Sequence, residues 1–263
     1  MSSQAVDCNA LEATTSIEDI TENEQNQDIL RSLQNDEISA LWLCRPERAT
    51  ESGEYGLGSS RELDWLGHFA KKSTRLESFG ISGVTHSATA ADTPWIDSLT
   101  ILAIPEATFL FNTFGVMNSL EELCIEGGDE EGVANLNDGA VAGCIPSLAA
   151  CTGMQSLNLN YLNLGTNSCA AMRGVFPRMS ALREVVLRAN SLDDDCTRLL
   201  AQGLSECKQI QSLSLSHNRI CDDGLDVLVQ RLPTSVDALY LERNDITLAR
   251  HVLLLRFRAL DIV

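Results

Sequence analysis

Clustered carboxylates are the side chains of this sequence whose types and spacing could do chemistry. The loop 126–132 reads EGGDEEG, and its acids could bind a divalent cation. Calcium loops of the EF-hand type need oxygens at alternating positions and a glutamate at the twelfth. This loop lacks that spacing, so the sequence predicts a solvated insertion between structural elements and no metal site.

Two further acidic runs, at 193–195 and 222–223, resemble the paired carboxylates used in acid–base catalysis. However, Asp195 and Asp223 lie 28 residues apart, at the same phase of a longer pattern. Aspartates that recur in this way are typical of helix N-caps. There the side chain accepts hydrogen bonds from backbone N–H groups, and its negative charge interacts favourably with the helix dipole. The sequence therefore predicts a structural role for both.

The nine cysteines and four histidines show neither C-x-x-C nor paired-histidine spacing. Without a basic partner in sequence, a free cysteine is expected to act as a small buried hydrophobe. The glycine cluster at 53–58 lacks the register of a phosphate-binding loop. We therefore expect no catalytic residue, no bound cofactor and no metal, and predict that the chain is not an enzyme.

Acidic residues dominate the charge, with 37 Asp and Glu against 19 Lys and Arg and a net charge of −18. The excess is concentrated in residues 1–40 and in residues 76–172. The second of these ranges has no lysine or arginine. Nucleic acids and anionic membranes bind basic surfaces, so neither is an expected partner. The first residues show no basic and apolar signal segment, which favours a cytoplasmic protein, with the nucleus as the alternative.

An internal repeat sets the elements that must position these side chains. The pattern apolar-x-x-apolar-x-apolar recurs, and the last three units have asparagine at the ninth position and starts 26 or 28 residues apart. Alternation predicts a short strand in each unit, and helix-period stretches follow several of them. The units begin at Ile38, Leu76, Leu99, Leu120, Met154, Leu182, Ile210 and Val236. The stretches with helical periodicity are 61–73, 138–151, 167–179, 195–207 and 223–232, with N-caps expected at Asp138, Asp195 and Asp223.

The segment 210–220, IQSLSLSHNRI, resembles the leucine-rich repeat L-x-x-L-x-L-x-x-N, and the period of about 28 is similar to that of the ribonuclease-inhibitor-like subfamily. The resemblance implies an α/β solenoid of about eight repeats. Its parallel strands would line the concave side and its helices the convex side. The subfamily's many reduced cysteines also agree with this composition.

The domain organisation follows from the same pattern. We expect a disordered acidic N-terminal tail over 1–25 and a repeat domain over 26–263. The domain would be irregular over 38–119 and regular over 120–250, with a last helix and an incomplete end over 247–263. A terminal repeat without a polar cap favours association, so homo-oligomerisation through this end is an expected possibility.

The outward-facing repeat positions predict a recognition surface on the concave side. Aromatic residues and arginine are enriched among interface residues that dominate binding. The candidate contacts are Trp42, Glu122, Glu126, Asn158, Asn160, Tyr161, Glu184, Arg188, His217, Tyr240, Glu242 and Arg243.

These features predict a non-catalytic protein–protein interaction module with a partly acidic concave surface and a basic protein partner. Two alternatives stay open. One is a regulator of a small GTPase, because the GTPase-activating protein for Ran is built from similar repeats. The other is the substrate-sensing or ligand-sensing repeat part of a ubiquitin-ligase adaptor or an immune-type receptor.

Overall fold

A single parallel sheet organises the chain. The computed structural model describes residues 7–44, 54–84, 113–127, 138–247 and 259–261. Within this part of the chain nine strands pair in the order β2-β1-β3-β4-β5-β6-β7-β8-β9, and every pairing is parallel. The strands are β1 Ala40–Cys44, β2 Glu54–Gly56, β3 Ser78–Val84, β4 Glu122–Gly127, β5 Ser156–Asn160, β6 Glu184–Val186, β7 Ser212–Ser214, β8 Ala238–Tyr240 and β9 Ala259–Asp261.

The repeat pattern is what places residues inside or outside this sheet. Along β4 and β5 buried and more exposed residues alternate, as a strand with one covered face requires. Neighbouring strands pair position for position, so the fourth residues of successive units stand side by side in the core. Those that the structure shows to be buried are Leu41, Phe79, Leu123, Leu157, Val185, Leu213 and Leu239.

Helices cover the face of the sheet that carries these apolar side chains. Each of the strands β4 to β7 is followed by a helix, and successive helices α5 to α8 pack on one another. The predicted α/β leucine-rich-repeat solenoid, with strands on its concave side and helices on its convex side, is confirmed. The helices are α1 Cys8–Leu11, α2 Ile17–Ile20, α3 Glu24–Gln34, α4 Ser60–Ala70, α5 Asp138–Cys144, α6 Thr166–Val175, α7 Asp194–Leu204 and α8 Asp222–Arg231. Short 3-10 turns, Ile145–Ala150 and Phe176–Arg178, extend α5 and α6.

The expectation of a disordered tail over 1–25 is wrong for the residues from 7 onward. Helices α1 and α2 form there, and Cys8, Ile17 and Ile20 are buried in the common core. A capping box between Ser16 and Asp19 fixes the start of α2, because each side chain bonds to the other's backbone N–H. This acidic segment is therefore an N-terminal cap of the solenoid. Residues 1–6 lie outside the described part of the chain.

The nine described strands do not all coincide with the units that the repeat pattern predicts. Strand β2 forms within the glycine cluster at 53–58, and its Tyr55 is fully buried beside β1. Strand β9 pairs with β8 and gives the C-terminal end a further strand. The predicted third unit, starting at Leu99, lies outside the described residues. Because β3 pairs directly with β4, the sheet has no strand position between them. The expected last helix also falls largely outside, since residues 248–258 are not described.

Aspartates do cap helices, but the predicted pairing of caps with helices is wrong. The N-cap of α7 is Asp193, and that of α8 is Cys221, which has no side-chain cap. The first residue of one helix instead serves the next repeat. Asp194 accepts the backbone N–H of Cys221 at 2.8 Å, and Asp222 accepts that of Thr247 at 2.8 Å. The carboxylates thus connect neighbouring repeats.

Asp138 makes the most extensive of these connections. Its carboxylate accepts the N–H groups of Gly165, Asn167 and Ser168 at 2.8 to 2.9 Å, at the start of α6. Helix α6 has no side-chain cap of its own. Burial opposes ionisation of Asp138, but these hydrogen bonds prevail and lower its pKa.

We expect Asp138→Ala to lower the free energy of unfolding by about 1–2 kcal/mol, because the orphan N–H groups of α6 lose their acceptor. Urea denaturation measures the change. The matched control is Asp223→Ala, which removes an exposed first-turn carboxylate from α8 and should cost about 0.5 kcal/mol. Equal losses in the two variants would contradict the proposed role of Asp138.

Another carboxylate, that of Asp36, connects the end of α3 to the turn after α4. Its ionisation makes the stability of the fold depend on pH. Asp36 accepts the hydroxyl of Ser73 at 2.6 Å and that of Thr74 at 2.5 Å. These hydroxyls lower the pKa of Asp36 to about 2. An unfolded aspartate has a pKa near 3.9, so the stabilisation is complete above about pH 5 and is lost as the pH falls towards 2.

We expect Asp36→Asn to flatten the dependence of unfolding free energy on pH between about pH 5 and pH 2, because the amide does not titrate. Urea denaturation of the original protein and of the variant across this pH range gives the slope of unfolding free energy against pH for each. Parallel slopes would show that Asp36 does not contribute to the acid sensitivity.

Candidate functional site

One face of the sheet is not covered by any helix of the described residues. It presents the side chains at positions 3, 5 and 7 of each repeat, counted from its first apolar residue. We call this surface, together with the residues at position 8, the concave face. The described side chains there range from half-buried to exposed along β4 to β8, except for Ser216 and Gly127, which are buried. All twelve predicted contact residues lie on this face, and contact with a partner remains a prediction for each.

At the N-terminal end of the concave face an indole lies across two strands. Trp42 on β1 is 38% exposed. A Cβ atom added to Gly80, its partner on β3, would lie 2.1 Å from Cε3 and 2.2 Å from Cζ3 of that indole. The six-membered ring therefore occupies the space where a side chain at position 80 would stand. Any larger residue at position 80 would displace the indole of Trp42.

Glutamates follow on the next strand. Glu122 and Glu126 flank the half-buried Cys124 on β4, and Cys124 pairs with Gly80. The hydroxyl of Ser78 donates to Oε2 of Glu122 at 2.9 Å, which directs that carboxylate towards β3. The acidic loop that begins with Glu126 lies outside the described residues from position 128 onward.

In the centre of the face, two predicted contacts have structural partners as well. Oδ1 of Asn160 accepts the backbone N–H of Arg188 at 2.9 Å, where β6 gives way to the following turn. The hydroxyl of Ser156 donates to Oε2 of Glu184 at 3.1 Å, the counterpart, two repeat units further along, of the contact between Ser78 and Glu122. Asn158 lies between Cys124 and Val186 in the same row.

Basic groups meet at the edge of β6, β7 and β8. Nη2 of Arg188 lies 3.2 Å from Nε2 of His217, so that nitrogen accepts when the guanidinium donates. Partial burial, then the charges of Arg188 and Arg243, lower the pKa of His217. Neutral histidine is therefore the favoured form at physiological pH. Tyr240 and Glu242 complete this end of the face on and just after β8.

The eighth position of four units adopts a left-handed backbone conformation without glycine. Such residues cost about 1–2 kcal/mol each. In three of the four units the next residue is an asparagine, whose amide donates to carbonyl oxygens of the turning backbone. The sequence analysis did not predict this conformation, although the four residues recur at the same position of each repeat. The residues and their φ angles are Tyr161 at 57°, Ala189 at 53°, His217 at 59° and Arg243 at 52°.

Buried cysteines repeat from unit to unit on the other side of the sheet. The thiols of Cys151 and Cys207 lie 3.1 and 3.2 Å from the carbonyl oxygens of Phe114 and Phe176, to which they donate. Burial raises the pKa of both thiols to about 11. Both therefore stay protonated at neutral pH and pack as small side chains, as the sequence predicts.

The described residues contain no group of three or more His, Cys, Asp or Glu side chains placed to bind a metal ion. None of the helices in this part of the chain is long and apolar enough to cross a membrane.

Comparison with solved structures finds similar chains. The chain is similar to the crystal structure of internalin C2 from Listeria monocytogenes, with 13% sequence identity and a TM-score of 0.47. The match covers 95% of this chain and 97% of that chain. No protein-family profile and no curated protein sequence matches the chain.

Proposed function

We propose that this protein is a non-catalytic interaction module of the ribonuclease-inhibitor-like class, which binds a basic protein partner on its concave face in the cytoplasm. Successive repeats form a continuous sheet surface that none of the helices in the described ranges covers, and this surface carries aromatic, acidic and basic side chains in rows. The 28-residue spacing of the later units, with a helix after each strand, supports that class.

The observation that carries the proposal is the charge of the first half of the concave face. The described residues at positions 3, 5 and 7 of β1, β3, β4 and β5 include Glu122 and Glu126 and no lysine, arginine or histidine. Complementary charge speeds encounter and discourages wrong partners. A partner with lysine and arginine on its contacting surface is the one that this half favours.

Affinity capture from cell extract with the full chain, followed by mass spectrometry, identifies the partner, and purified partner then allows affinity to be measured. Deleting the N-terminal segment is unsuitable, because Leu30 and Leu33 are buried in the core.

Point variants are the sharper test. Glu122→Lys should weaken binding about tenfold or more, since it opposes like charges.

Glu206→Lys is the matched control, because this exposed residue follows α7 and the substitution changes net charge equally. Its affinity should stay within about twofold of the original chain, and raising salt from about 0.05 to 0.5 M should weaken binding by the original chain. Equal effects of the two substitutions, or no effect of salt, would overturn the proposed acidic binding face.

A further inference from the structure

The N-terminal end of the concave face combines an exposed aromatic surface with carboxylates. Trp42 is one of three exposed large hydrophobic residues among the described residues, with Leu11 and Val116, and it alone lies on the sheet. An exposed tryptophan held in one orientation is the residue type most often dominant in binding.

Gly80 fixes how the indole is presented. Because the ring lies over this glycine, one side of the indole faces the backbone of β3 and the exposed part of the ring faces away from the sheet. The substitution of any side chain at position 80 would remove this arrangement. The glycine is thus a requirement of the aromatic surface.

The nearest strand beyond the ring supplies negative charge. Gly80 pairs with Cys124, and Glu122 and Glu126 lie two residues before and after it. Strands in a sheet are about 4.8 Å apart, so both carboxylates stand within reach of a group bound on the ring. The bond from Ser78 already directs Glu122 towards β3.

We propose that Trp42, Glu122 and Glu126 form a binding site for an arginine side chain of the partner protein. This inference rests on the proposed function and names the group recognised at one end of the face. A guanidinium is planar, stacks on an indole and keeps its N–H donors free at the edge for carboxylates. An apolar side chain would stack on Trp42 but leave the two glutamates without a counter-charge.

The site can be tested without knowing the partner. The full chain, labelled with ¹⁵N, is titrated with hexaarginine, and the indole N–H signals of its three tryptophans are followed by NMR. The signal assigned to Trp42 by its loss in Trp42→Phe should shift and saturate with hexaarginine. Hexacitrulline, which has the same shape without the charge, should leave it in place.

Variants separate this site from general attraction between opposite charges. Trp42→Ala should weaken hexaarginine binding about three- to tenfold, the range of a partly desolvated cation–π contact. Gly80→Ala should do the same by displacing the ring, with the fold checked by circular dichroism. Glu122→Gln should also weaken binding, whereas Glu206→Gln should change it less than about twofold. Glu206 is the matched control, because the substitution removes the same charge from an exposed residue after α7, outside the concave face.

The inference is overturned if hexaarginine binds without shifting the Trp42 signal, if hexacitrulline shifts it equally, or if Glu206→Gln weakens binding as much as Glu122→Gln. The proposed function has a separate test. If the captured partner still binds Trp42→Ala and Glu122→Gln with unchanged affinity but loses affinity for Tyr161→Ala, the arginine site is wrong and the interaction module stands.

Discussion

Asn218→Ala is expected to lower the free energy of unfolding by about 3 kcal/mol or more, the largest single-residue effect that we predict. The side chain of Asn218 is 8% exposed. Its Oδ1 accepts the N–H groups of Asn190 and Leu192 at 3.2 and 3.1 Å. Its Nδ2 donates to three carbonyl oxygens, of Leu187, Leu215 and Ser216, at 2.8 to 3.2 Å.

Alanine at this position would take the acceptor from the N–H groups of Asn190 and Leu192, and each such group costs about 1–3 kcal/mol. The three carbonyl oxygens keep other donors. Urea denaturation followed by circular dichroism measures the loss. Asn167→Ala, at an exposed position in the first turn of α6, should change stability by less than about 0.5 kcal/mol. Asn218→Asp should be destabilising at neutral pH, because it turns a carboxylate oxygen towards those carbonyl groups.

A graded series guards against a variant that does not fold. Asn244 is only half-buried, and among the described residues its Oδ1 accepts one backbone N–H, that of Ile220 at 3.0 Å. Asn244→Ala should therefore lose less stability, about 1–2 kcal/mol. If Asn244→Ala proves more costly than Asn218→Ala, the asparagine bonds do not govern stability in the way we describe.

Gly127→Ala is the second large expectation, a loss of about 2–3 kcal/mol. A Cβ atom at this position would lie 2.0 Å from the carbonyl oxygen of Tyr161 and 2.9 Å from its carbonyl carbon. Both contacts are with backbone, so a side-chain rotation cannot relieve them. The ends of β4 and β5 would have to separate, and Tyr161 would move with them.

Gly153→Ala is the control for this substitution. There the nearest atoms to an added Cβ are the carbonyl oxygens of Asn118 and Leu120, at 3.8 and 4.0 Å, which is ordinary contact. We expect a change of less than about 1 kcal/mol. Thermal and urea unfolding of the two variants provide the comparison. A Gly127→Ala protein as stable as Gly153→Ala would show that the two strands can part at little cost.

Hydrophobic periodicity predicted the regular half of the fold well. The units that start at Leu120, Met154, Leu182, Ile210 and Val236 each form the expected strand, because alternation alone decides which side chains face the core. The asparagines at 190, 218 and 244 could be assigned a structural role for a similar reason. Their position directly after the strand requires a group that satisfies the turning backbone.

The N-terminal half could not be predicted in the same way. Helices α1 and α2 have four residues each, too few to be stable without tertiary contacts. Strand β2 has three residues and shows no repeat pattern, and only the pairing with β1 creates it. The caps were misassigned because an aspartate side chain reaches into the next repeat, a contact that no local pattern contains.

The sequence by itself determined which residues of each repeat are buried and which lie on the concave face, since both follow from a period of two within each strand. Tertiary structure alone decided which of the outward residues are neighbours. Trp42 and Glu122 are 80 residues apart in the chain, yet they lie two strands apart because β1, β3 and β4 pair in register. Lateral order in a sheet depends on pairing between distant segments, and that pairing is what joins an indole to the carboxylates.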